Sequence, residues 1–229
     1  MTTETKFWKK KYFTMLAGQS VSLITSGILQ MSIIFYLTAK TNSAMVLSIA
    51  TLMGFLPQAV IGPFAGTFVD RHSRKGVMIG ADLMIAATGG FLAVVSVFME
   101  LPIWLIMLVL FVRSIGNAFH SPASSAVTPL MVPQDQLTKC AGYNQTMQAA
   151  VSLISPAAAA FLYSVWSLST IILLDIIGAV LACGVVAVLS IPNPPICPGE
   201  SQNSFFRDMK ERYFELKKNK GLFALLWIG

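Results

Sequence analysis

Asp82, Arg113 and Asp175 each stand inside a long and otherwise apolar stretch of sequence. An ionised side chain at the centre of hydrocarbon costs at least about 2.5–3.5 kcal/mol, so such groups turn toward an interior or a wet cavity, pair with one another, or carry protons. Arg113 keeps its charge at any accessible pH and needs a counter-charge. Asp175 either supplies that charge or titrates, and a structural ion pair and a proton pathway both fit. Asp82 has two readings as well, a partner for the nearby Arg71 and Arg74 or a direct role in a pathway. No paired nucleophile and base, metal-ligand cluster or phosphate-binding glycine loop accompanies these residues, so enzyme chemistry and nucleotide hydrolysis are not expected.

A second concentration of charge lies at Gly66-Thr-Phe-Val-Asp70-Arg71-His72-Ser-Arg74-Lys75. A segment so rich in fixed charge cannot lie in lipid and must join two spans at a water-facing surface. Polar residues also recur at helical spacing. Gln19, Ser22, Ser26 and Gln30 form one stripe, Arg113, Asn117 and His120 a second, and Gln145, Gln148, Ser152 and Ser155 a third. One stripe is compatible with interhelical hydrogen bonding alone, whereas three together favour a shared aqueous cavity.

The elements that must position these groups follow from composition. The chain is 55% hydrophobic and 11% charged, against roughly 25% charged in soluble domains. A spanning helix needs about 20 apolar residues, and six such runs occur: Phe13–Leu37, Ala44–Gly66, Gly76–Phe98, Ile103–Ser121, Ala141–Tyr163 and Leu168–Ser190. A proline-broken connection is expected over Pro122–Lys139. After the stop Ile191-Pro-Asn-Pro-Pro195, an amphipathic helix is expected within a cytoplasmic linker at 191–220, and the opening of a seventh span at 221–229. The expected divisions are therefore 1–12, 13–190, 191–220 and 221–229.

Of the 16 lysines and arginines, all but Lys40 and Arg113 fall on one side if the spans alternate. Basic loops mark the cytoplasmic face, so the N-terminus is expected there, and the net charge of +6 needs no nucleic acid. The cysteines Cys140, Cys183 and Cys197 have no metal or redox spacing and read as small apolar fillers.

Gly66-x-x-x-Asp70-Arg71-x-x-Arg74-Lys75 is similar to the loop signature between the second and third helices of the major facilitator superfamily. Six spans with a linker helix resemble the N-terminal half of that fold, an all-α bundle of 3+3 inverted repeats. The resemblance implies that Gly66 allows close helix approach and that Asp70, Arg71 and Arg74 make charge-relay contacts that lock one conformation. Arg113-Ser-Ile-Gly116 resembles the family's fourth-helix arginine motif, tied to proton coupling, with its glycine one residue early. Counted from Gly142, the antiporter pattern of the fifth helix meets Val151, Ser155, Pro156, Ala159 and Ala160, so its proline and small residues are kept while most of its glycines are not. Gly18–Ser26, Gln136–Tyr143, Met78–Leu83 and Asn219–Leu226 resemble bacterial macrolide efflux proteins.

That resemblance implies drug:proton antiport across the bacterial plasma membrane by alternating access, driven by the proton gradient without a cofactor. The implied partners are the bilayer, an amphipathic drug and protons. Asp82, Arg113, Asp175, Gln19, Ser26, Gln30, Asn117, Gln145 and Gln148 are the pathway candidates. A complete pathway would need a C-terminal half or a second copy. The other readings are a half-length protein that pairs into a pump and a non-transporting membrane partner of another pump.

Overall fold

The computed structural model describes the backbone of residues 3–189 and side chains from residue 8 onward. The linker at 191–220 and the seventh-span segment at 221–229 lie outside the described residues. Within them the chain forms α1 (Thr3–Thr41), α2 (Ala44–Arg71), α3 (Arg74–Phe98), α4 (Ile103–Met131), a 3-10 turn (Gln134–Gln136), α5 (Leu137–Val165) and α6 (Leu168–Val188). All six helices are long and apolar enough to cross a bilayer.

The boundaries follow local chemistry. Ser43, Ser73 and Ser167 precede α2, α3 and α6, and each side chain accepts a bond from a first-turn amide: Val46, Gly76 and Thr170 respectively. Between α1 and α2, Asn42 adopts φ 47°, a left-handed conformation that asparagine tolerates. Lys40, near the end of α1, reaches Glu100 at 3.4 Å and donates to the Leu101 carbonyl at 3.1 Å.

One expectation is corrected. The helix expected to end at Ser121 continues through Pro122 and Pro129 to Met131. Each proline removes a single ladder bond, whereas ending the helix in lipid would expose a whole turn of polar backbone. Beside Pro57 of α2, the Gln58 amide donates across to the buried Ser114 hydroxyl of α4 at 3.2 Å, tying the two helices at that point.

Helix pairing shows the repeat. α2 packs on α4 as α5 packs on α1, and α1 packs on α6 as α4 packs on α3, while α3 and α6 pack on each other. Exchanging α1–α3 for α4–α6 leaves this pattern unchanged. Successive helices alternate direction, so equivalent helices run oppositely, as in inverted repeats.

Apolar burial adds little between helices in lipid, so close contact must bring them together. Gly178 of α6 faces Thr25 of α1 with no room for a Cβ, and Gly27 of α1 is as tight against Ser155 of α5. At Gly116 of α4 a Cβ would stand 2.7 Å from Ile85. At Gly62 and Gly66 nothing lies within 4 Å, so no close approach among the described residues depends on them.

The core divides in two. One apolar cluster, including Leu37, Leu92, Leu105 and Ile171, fills the end of the bundle bearing Lys40 and Glu100. Another, including Tyr12, Val69, Met78, Val127 and Val186, fills the basic end bearing Asp70–Lys75. Gln19, Asp82, Arg113 and Asp175 are buried in the belt between them.

Candidate functional site

Helices α1, α2, α4 and α5 surround a cavity of about 370 Å³. The stripe of α1 supplies Gln19, Ser26 and Gln30, and that of α4 supplies Arg113, Asn117 and His120. Helix α5 contributes Gln148 and Asn144, and α2 adds Gln58. Gln145 is exposed and does not line the cavity. Ser155 is buried against Gly27 instead.

Sequence reasoning missed Ser121, Ser124 and Ser125, which also line the cavity. The signal was present, because these serines continue the Arg113–Asn117–His120 spacing by one turn. Ending the helix before Pro122 removed Ser124 and Ser125 from view, while Ser121, the last residue of the expected span, was left out of the stripe.

In the wall of the cavity, Arg113 Nη1 donates to Asp175 Oδ2 at 2.7 Å, and the two side chains are 5% and 0% exposed. Ser26 of α1 completes the group, donating to Asp175 Oδ1 at 2.7 Å and accepting from Arg113 Nη2 at 3.4 Å. Gly89 of α3 gives the guanidinium space, since a Cβ there would meet Nη1 at 3.7 Å. Three helices thus converge on one buried ion pair, and Asp175 supplies the charge that Arg113 requires. Charge-assisted bonds of this length are among the strong ones.

Asp82 does not partner the loop cations. Its Oδ1 lies 3.3 Å from His120 Nε2, and Gln19 is its other polar neighbour. The carboxylate and Gln19 are 4% and 5% exposed. Gln19 stands close enough to act on Asp82 as a hydrogen-bond donor, but among the described residues neither Asp82 Oδ2 nor either end of the Gln19 amide has the alignment of a full hydrogen bond.

The loop motif works chiefly as a set of ties at the basic end. Arg74 lies 3.8 Å from Asp70 and donates to the Ala126 carbonyl of α4 at 2.9 Å. That carbonyl is next to Ser125, whose own helical donor is replaced by Pro129. Lys75 donates to the carbonyls of Ala187 and Leu189 at 2.7 and 2.8 Å. It thereby caps the C-terminus of α6, where a cation complements the helix dipole. The His72 ring stacks on Phe68 with centroids 3.9 Å apart.

Comparison with known proteins gives this architecture its context. The chain is 59% identical over 222 residues to Macrolide efflux protein A of Streptococcus pyogenes, covering 97% of this chain and 55% of that protein. It is 56% identical over 188 residues to Macrolide efflux protein A of Enterococcus faecalis, covering 82% of this chain and 58% of that one. At 25% identity over 232 residues it matches a multi-drug resistance efflux pump PmrA homolog of Lactococcus lactis, covering 98% and 54% of the two chains. The chain spans about half the length of the curated relatives it matches. Residues 15–229 match the family model of the Major Facilitator Superfamily; with six spanning helices paired as inverted repeats around a polar cavity, this chain belongs to that superfamily.

Proposed function

We propose that this chain forms the N-terminal half of a proton-coupled exporter of amphipathic drugs, macrolides foremost, in the bacterial plasma membrane. The observation that carries the reading is the 59% identity to a macrolide efflux protein over nearly the whole chain. The site is consistent with it. A cavity walled by Gln, Ser, Asn and His side chains, with one buried ion pair at its back, offers a few directed polar contacts to a large ligand. The basic end faces the cytoplasm, as its lysines and arginines require. Alternating access follows from rocking of this bundle against a complementary half, and the ties made by Arg74 and Lys75 keep the bundle rigid during that motion. The energy source is the proton gradient, and no cofactor takes part.

The test is a chimera in which this chain replaces the matching part of Macrolide efflux protein A. Drug-sensitive cells that carry it should accumulate less macrolide, and a protonophore should restore accumulation. Accumulation equal to that in empty cells would refute drug export, and efflux indifferent to the protonophore would refute proton coupling.

A further inference from the structure

Two carboxylates are buried in the belt, and their surroundings differ. Asp175 has a fixed cation at 2.7 Å and a serine hydroxyl on its other oxygen. A proton placed on it would strip Arg113 of its counter-charge. Among the described residues no fixed cation acts on Asp82. Its electrostatic neighbours are His120 and Gln19, and the Cys183 thiol of α6 lies within reach of its charge. Arg113 and Asp175 lie about two turns further along their own helices and are committed to each other. Helices α2 and α5 bring no charged group that acts on Asp82.

A lone carboxylate this deeply buried is held at high cost, and holding one proton between it and the imidazole removes its net charge. The two groups are neighbours: His120 Nε2 is 3.3 Å from Asp82 Oδ1, so a small reorientation of the imidazole would align a hydrogen bond, and Asp82 Oδ2 lacks an aligned partner among the described residues. Gln19, whose amide likewise lacks an aligned partner at both ends, stands beside the carboxylate and lines the cavity. His120 lines the cavity too, whereas Asp82 does not, so the imidazole is the route between cavity and carboxylate.

We infer that Asp82 and His120 form a proton-holding pair loaded from the cavity through His120, beside the structural ion pair Arg113–Asp175; the inference rests on the reading of this chain as part of a proton-coupled exporter. One proton resides on the pair in its neutral state. Its release through His120 leaves an unbalanced carboxylate, and recapture restores neutrality. No bond other than N–H or O–H forms or breaks.

The test exploits a feature of the composition, since the chain has only two histidines, His72 and His120. The chain in lipid nanodiscs, with labelled imidazole nitrogens and labelled aspartate carboxyls, is followed by NMR across a pH series. In the wild type the His120 and Asp82 signals should move together in linked steps. Asp82→Asn should reduce the His120 curve to a single step with its midpoint displaced by about one pH unit or more, as for strongly coupled sites. Asp82→Glu should restore the linked steps, and the His72 curve should be the same throughout. Independent titration of the two wild-type signals would overturn the proposal without any variant, and so would an unchanged His120 curve in Asp82→Asn. Replacing sodium by choline should change nothing; curves displaced by sodium would assign the pair to a metal cation instead. Because none of these readings needs transport, failed efflux in the chimera and failed coupling here are separate results.

Discussion

Asp175→Asn isolates the worth of the buried ion pair. The substitution keeps the shape of the side chain and one acceptor oxygen while removing the charge that faces Arg113 at 2.7 Å. Arg113 has little recourse to water, being 4% exposed, and its remaining neighbour is the Ser26 hydroxyl at 3.4 Å. Removing one partner of a buried pair costs about 3–5 kcal/mol. A neutral hydrogen bond to the asparagine oxygen offsets about 1 kcal/mol. The net loss is then about 2–4 kcal/mol, or about 30- to 700-fold in the folding equilibrium. Adding Arg113→Met removes the stranded charge, so the double variant should recover at least about 2 kcal/mol relative to the sum of the single losses. Reversible unfolding in mixed micelles, followed by tryptophan fluorescence, measures all three. A loss under about 1 kcal/mol, the scale of exposed pairs, would refute the burial argument. Additive single losses would refute the pairing.

Gly178→Ala should destabilise the α1–α6 contact by about 1–3 kcal/mol in the same assay, because its Cβ would fall on Thr25. Thr25→Ala should then recover part of that loss. Lys75→Gln should cost about 0.3–1 kcal/mol by uncapping α6, and amide exchange should quicken in the last turn of that helix. Ser114→Ala should cost about 0.5–1.5 kcal/mol by removing the bond that the Gln58 amide makes to α4 next to Pro57. In the chimera, Asp70→Asn should leave insertion intact, since Asp70 is exposed and its pair with Arg74 is long at 3.8 Å. Efflux should nevertheless fall, which drug accumulation in cells would show; wild-type efflux would remove Asp70 from the switching machinery.

Much of this molecule was legible from residue order, for a physical reason. In lipid the backbone must satisfy itself, so apolar length and charge placement prescribe the helices. The three polar stripes predicted a cavity, and the stripes of α1 and α4 line it together. Arg113 and Asp175 are 62 residues apart in the chain, yet the need of Arg113 for a counter-charge made their pairing one of the two readings open for Asp175. What stayed hidden depends on register between helices. Nothing local in the sequence says that Ser26 bridges that ion pair, or that Lys75 reaches the end of α6. The same limit led Asp82 to be read toward the loop cations, although the face of α3 that carries it turns to α1 and α4. The remaining miss, at Pro122, came from weighing a proline as in water, where an interrupted helix can hydrogen-bond to solvent.

The two apolar clusters at either end of the bundle have an electrical consequence. They flank the charged belt with buried apolar side chains on both sides, so a charge moving along the bundle axis would have to leave its polar neighbours for an apolar layer. A leak along that axis would discharge a potential worth about 2.3 kcal/mol per charge at 100 mV.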